Sequence, residues 1–334
     1  MKKHLTVILI LVCLSSAKAQ FPTITFDQVV ALKQKTIIVI VEEEDPDIVL
    51  KLSKKNPEKL QTYRDNIFGK NMALRFAIEN YWNFTSGMEY KTYEEAFKLY
   101  SKDSKQYAFI HFGVHTEQEM VRTGHSFNGQ PAGWSRTGSG TSVYNPSTRR
   151  SETSNVISIL QIYVPGKEVI RVSLPNMYPS KGDAVYGIQQ MQYILRYVEA
   201  DKDAKAYKVL YSEPEKLAPM LKGKTLLIDK DDLDPKLDEQ EIKKAYPFPL
   251  KVASYEEIET AIINKEPNYA FVQIVPMDMG KGNVNIFFIS GMEDGKVYVA
   301  EFPKVAFGGI NGIDIKTNQR IKKKHLERFA DSVE

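Results

Sequence analysis

Two runs of continuous apolar residues stand out along the chain, Thr36-Ile37-Ile38-Val39-Ile40-Val41 and Thr225-Leu226-Leu227-Ile228. Runs of this length without alternation predict strands buried on both faces. A lysine precedes each run, and each leads through acids to Asp-Pro, at Asp45-Pro46 and Asp234-Pro235. Asp-Pro stops a strand and opens a helix, because proline fits the first helical turn. The lysine-to-proline spacing is 11 residues in both, and leucine stands three before each lysine (Leu32 and Leu221).

Two further blocks recur in the same order. Thr92-Tyr93-Glu94-Glu95 matches Ser254-Tyr255-Glu256-Glu257, and each tyrosine is followed 14 residues later by Tyr-Ala-Phe, at 107–109 and 269–271. Thr92-x-x-Glu95 and Ser254-x-x-Glu257 are capping boxes, in which each side chain satisfies the other residue's free N–H. Ile258, Ala261 and Ile262 then give a helix with one apolar face. Val156 to Pro175 pairs with Val284 to Pro303, both reading as hairpins with Gly-Lys turns at Gly166-Lys167 and Gly295-Lys296. A final helix is expected over 184–200 and over 315–330.

The order is thus β-α-β-α-β-β-β-α, twice. The expected fold is α/β: two tandem duplicated domains of two or three layers, each with a mixed sheet. The first spans 21–201 and the second 221–331, with 202–220 as linker.

The copies differ by two additions to the first. Between Pro46 and Tyr93 it carries 27 residues more than the second copy has between Pro235 and Tyr255, read as an inserted helix over about 66–84. The larger addition is 122–155, where 22 of 34 residues are Gly, Ser, Thr, Asn or Pro. Such a segment buries too little apolar area to offset the entropy of ordering it. Phe127, Trp134, Arg136, Tyr144, Arg149 and Arg150 punctuate it, and aromatics with arginine dominate binding hot spots. These six are the candidate partner-binding residues.

The helix, Tyr-Ala-Phe and hairpin runs over 255–302 and 93–175 resemble the small α/β module of envelope proteins, the TolB amino-terminal and CsgG-type domain. The resemblance implies a non-catalytic role in the envelope and carries over no functional residue.

The amino terminus changes the compartment. Lys2 and Lys3, the apolar run Leu5 to Leu14 and Ala17-Lys18-Ala19 form an export signal over 1–19, too short in its apolar part to span a membrane. Cleavage removes Cys13, the single cysteine, so no disulfide or thiolate is expected in the mature protein. It also removes three of the 45 basic residues and no acid, so 42 bases face 42 acids. No basic field remains to attract nucleic acid. Otherwise, 26% charged and 43% hydrophobic residues are ordinary globular composition. The expected location is periplasmic or at the outer membrane and cell surface.

Candidate chemistry is sparse. His111, His115 and His125 form the one concentration of metal-ligand types. On a single strand, however, His111 and His115 lie roughly 13 Å apart, too far for one metal. The acidic tips after the two apolar runs lack the central glycine of a calcium loop. Gly223-Lys224-Thr225 lacks the upstream glycine of a phosphate loop. No nucleophile elbow or zinc-protease helix occurs, and no cofactor is expected. The expectation is an exported, non-catalytic binding or scaffold protein of the bacterial envelope, contacting an envelope protein or glycan through 122–155. The rival expectations are a two-lobed small-molecule receptor and a metal-assisted hydrolase using the three histidines.

Overall fold

The two apolar runs become the central strands of two five-stranded sheets. The computed structural model describes residues 24–102, 106–116, 156–164, 167–278, 283–302 and 320–334. The first lobe runs α1 (Phe26–Lys33), β1 (Thr36–Val41), α2 (Pro46–Lys55), α3 (Pro57–Tyr81), β2 (Gly87–Thr92), α4 (Tyr93–Lys102), β3 (Tyr107–Thr116), β4 (Val156–Val164), β5 (Lys167–Ser173) and α5 (Lys181–Ala200). Two short helices, α6 (Lys208–Tyr211) and α7 (Glu213–Leu217), and a 3-10 turn (Ala218–Gly223) follow. The second lobe runs β6 (Thr225–Asp229), α8 (Glu239–Ala245), β7 (Leu250–Ala253), α9 (Tyr255–Ile263), β8 (Tyr269–Asp278), β9 (Asn283–Gly291), β10 (Val297–Glu301) and α10 (Lys323–Val333).

The sheets share one order, β2-β1-β3-β4-β5 and β7-β6-β8-β9-β10. In each, the apolar run is parallel to both neighbours, and the last three strands are antiparallel. Registers agree as well. Thr36, Ile37 and Ile38 lie opposite Tyr107, Ala108 and Phe109, just as Thr225, Leu226 and Leu227 lie opposite Tyr269, Ala270 and Phe271. Each hairpin also has an irregularity at the matching place, after Ile162 and before Val299. Equal order and equal register are what a repeated unit requires.

The hairpins do not align at one constant offset, as the sequence comparison assumed. Phe109 pairs with Tyr163 and Phe271 with Ser290, which sets β4 and β9 127 residues apart. Tyr163 pairs with Glu168 and Ser290 with Val297, which sets β5 and β10 129 apart. The second turn is longer by two residues. Its Gly295, at φ 68°, takes the left-handed conformation that glycine permits.

Matching sheet faces carry matching helices. On one face, α4 covers Ile38 and Phe109, and α9 covers the equivalent Leu227 and Phe271. On the other, Ile37, Val39, Ala108 and Ile110 meet α1, α3 and α5, while Leu226, Ile228, Ala270 and Val272 meet α8 and α10. The lobes then stack head to tail. The far side of α5 lies on the α9 side of the second sheet, so one continuous core holds Leu160 and Val185 with Phe271, Phe288 and Met292.

This position explains α5 in detail. Between Asp183 and Arg196 it carries no charged residue, and 14 of its 20 residues are buried. A helix apolar or neutral all round is one with protein on every side. Gly187 lets it close on the first sheet, since a Cβ there would lie 2.9 Å from a Leu160 methyl. On the opposite side the β9–β10 turn presses so near that a Cβ on Gly295 would lie 2.6 Å from the Gln190 backbone nitrogen. By contrast α10, at the end of the stack, buries Leu326, Phe329 and Val333 and points lysine, glutamate and aspartate outward.

Several boundaries move. The inserted helix expected over about 66–84 runs Pro57–Tyr81, capped by Asn56, whose side chain accepts the Lys59 N–H, with Pro57 in the first turn. The expected linker 202–220 is folded, burying Ala206, Val209, Leu210 and Ala218. The last helix runs Lys323–Val333, and the residues just before it are not helical, because Ile321 is buried in a parallel bridge to Leu233; 315–319 lie outside the described residues. Among the described residues no helix is long and apolar enough to cross a membrane.

Candidate functional site

The repeated faces differ most in one row across the antiparallel strands. In the first lobe His111 on β3 pairs with Gln161 on β4, which pairs with Arg171 on β5. The matching row of the second lobe is Gln273, Phe288 and Ala300. Directly paired antiparallel residues point to one face, so each row lines one side of its sheet. Both rows lie on the side that carries α4 or α9. In the second lobe two of the three row residues are apolar and the side seats α5; in the first lobe all three row residues are polar.

The polar row is wired in one direction. Phe112 O lies 2.9 Å from His111 Nδ1, which makes that nitrogen the N–H donor. His111 Nε2 then accepts from Gln161 Nε2 at 3.0 Å, and Gln161 Oε1 accepts from the Tyr163 hydroxyl at 2.9 Å. Tyr163 stacks on the imidazole with ring centroids 5.9 Å apart. Burial pushes the His111 pKa down to about 4, against a smaller opposing pull from the Phe112 carbonyl. The imidazole is therefore neutral near pH 7. Gly113 completes the arrangement, because a Cβ there would lie 2.6 Å from Gln161 Nε2.

These contacts bear on the sequence candidates. His111 and His115 lie four positions apart on β3, the spacing at which they cannot share one metal. Both ring nitrogens of His111 are engaged, so metal ligation there would first have to displace Gln161. Among the described residues no group of three or more His, Cys, Asp or Glu is placed to hold a metal. His125, Phe127, Trp134, Arg136, Tyr144, Arg149 and Arg150 lie outside the described residues. They belong to the connection between β3 and β4, the two strands that carry His111 and Gln161.

Comparison with protein-family models, curated proteins and solved structures returned no match.

Gln161, Tyr163 and Arg171 were missed in the sequence. The signal existed, as polar residues in an apolar hairpin, but the alignment hid it. A constant offset of 128 sets Gln161 against Ile289, which points to the opposite face of its sheet. A one-residue slip exchanges the faces of a strand, and the register that sets Gln161 against Phe288 exists only in three dimensions.

Proposed function

We propose that this chain is an exported, non-catalytic binding or scaffold protein of the bacterial envelope, whose partner contact lies on the first lobe through the 122–155 insertion. The carrying observation is the contrast between equivalent sheet faces. The second lobe's row, with Phe288 and Ala300 beside Gln273, is occupied by α5, so it serves the fold. The first lobe's face keeps a polar row, His111–Gln161–Arg171, on the strands that the insertion joins. Folding accounts for the shared parts, and the addition to one copy needs its own reason.

Two further observations support a scaffold over the rival expectations. A clamshell receptor needs lobes that part around a ligand, whereas Tyr186, Phe271, Met292 and Val297 bury the lobe contact. A hydrolase needs a base or ligand with a free lone pair, whereas the His111 nitrogens are both hydrogen-bonded. His111 and Gln161 are buried and hydrogen-bonded to each other, so they brace the strands that the insertion joins and leave contact with a partner to the insertion itself.

The test is site-specific photo-crosslinking in intact envelopes. A crosslinker at Phe127 or Trp134 should trap one discrete protein or glycan species, and the same group at Lys324 on α10 should trap none. Equal labelling from both positions, or none from the insertion, contradicts the reading.

A further inference from the structure

The lobes meet at a polar joint as well as an apolar one, at the first turn of α5. Asp183, 3% exposed, is the third residue of this helix. Its Oδ2 accepts the Ser180 N–H at 2.9 Å, the Asn176 side-chain amide at 2.7 Å and, from α9 of the second lobe, the Tyr255 hydroxyl at 3.1 Å. The Tyr255 oxygen also lies 2.6 Å from Ser180 Oγ and 3.0 Å from Asn176 Nδ2. One helical turn beyond Tyr255, Glu259 accepts the Gly182 N–H at 2.8 Å. Gly182 is required there, because a Cβ would lie 2.8 Å from Glu259 Cγ. Two carboxylates, one from each lobe, thus converge on the start of one helix.

No cation offsets either carboxylate among the described residues. Among the described residues none of the ion pairs involves Asp183 or Glu259. Lys181, the nearest lysine in sequence, holds its ammonium over the Phe76 ring of α3, 5.3 Å from the centroid. The charged and titratable groups facing Asp183 are therefore Glu259 and Tyr255 on α9, with uncharged Asn176 and Ser180 on its own side. A buried carboxylate beside a second carboxylate is costly unless protonated or paired. The amino end of α5 offsets part of that cost.

We propose that this joint is a proton-dependent clasp: uptake of one proton by Asp183 tightens the contact between the two lobes. The protonated carboxyl loses its repulsion with Glu259 and gains a donor. It can then donate to the Tyr255 oxygen, leaving the phenol proton for Ser180 Oγ. Tyr255 keeps its contacts with both Asp183 and Ser180, and the Ser180 hydroxyl proton turns away from the Tyr255 oxygen.

The direction of the Asp183 shift agrees. Burial, the largest influence, pushes its carboxyl above the ordinary range; bonds from Asn176, Ser180 and Tyr255 pull it down, and Glu259 pushes it up again. A carboxyl raised in the folded state contributes stability below its unfolded pKa, and that contribution is lost as pH rises through the folded value.

The experiment is amide hydrogen exchange on the full chain, corrected for intrinsic rates, together with thermal midpoints of wild type and Asp183→Asn. Both are followed from about pH 8 to about pH 5. Protection of the Gly182 to Ala184 amides, taken relative to that of the α10 amides at the far end of the stack, should rise on acidification, by at most about tenfold per pH unit, the limit for one proton. The midpoint of wild type should gain on that of D183N over the same range, because the amide mimics the neutral carboxyl at every pH. Protection that does not change with pH, or a constant midpoint difference between the two proteins, overturns the clasp. If D183N does not fold, the exchange profile of wild type alone decides.

Discussion

Tyr186 of the first lobe stands edge-on to Phe271 of the second, ring centroids 5.6 Å apart at 86°, and its hydroxyl lies 3.4 Å from Ser290 Oγ. Tyr186 and Phe271 are 1% and 2% exposed. A contact so deeply buried makes the two lobes one folding unit. Tyr186→Ala should therefore destabilise the whole chain, by about 3–5 kcal/mol for a large aromatic truncation. Urea unfolding followed by Trp82 fluorescence, for the first lobe, and by exchange of the β8–β9 amides, for the second, should give one coincident midpoint. Two separated midpoints would show independent lobes.

The β9–β10 turn holds the same interface from the other side. Gly295 sits at φ 68° with α5 backbone against it. Gly295→Ala should cost about 1–3 kcal/mol from backbone strain, and more from the clash. The loss should appear in equilibrium denaturation as a lower midpoint with an unchanged slope.

The Tyr163–Gln161–His111 chain is fully wired, so its middle member is costly to remove. Gln161→Ala leaves the His111 nitrogen without its donor and the Tyr163 hydroxyl without its acceptor. Each buried hydrogen bond broken in this way costs about 0.5–1.5 kcal/mol. Calorimetry should show a lowered thermal midpoint, and nitrogen NMR of His111 should show a changed environment at Nε2.

Two buried histidines make the stability of the fold depend on pH. His325 on α10 packs on Phe287 and accepts the Lys322 N–H at Nδ1, 3.1 Å away. Burial first, then Lys324, Arg328 and Lys322, pushes its pKa down to about 4, the value burial also gives His111. Both rings titrate near 6.5 when unfolded and near 4 when folded. The unfolded chain thus binds more protons between those values, and stability falls as pH drops from about 6.5 to about 4. Replacing both, as His111→Gln with His325→Gln, should flatten that fall in urea titrations. An unchanged slope would place the acid sensitivity elsewhere.

Much of this architecture was legible because its causes are local. Unbroken apolar runs, capping boxes at Thr92 and Ser254, and the Asp45-Pro46 break act within a few residues, and each occurs where expected. The stacking of the lobes was not legible, since it depends on which side of α5 meets which sheet. Even so, the uncharged stretch from Ala184 to Leu195 already marked a helix covered on all sides. The polar row was hidden for a related reason, because its members come from three strands whose relative register no local rule supplies.

The proposed function divides the labour: the second lobe's sheet face serves the fold, and the first lobe's β3–β4 insertion is proposed to serve a partner. The most direct measurement is deletion of 124–154, with binding to the photo-crosslinked species and the thermal midpoint measured on one preparation. Lost binding and a nearly unchanged midpoint are expected, because closure entropy changes only slowly with the length of a connection. Retained binding by the folded deletion variant would contradict it and move the contact to the shared lobes.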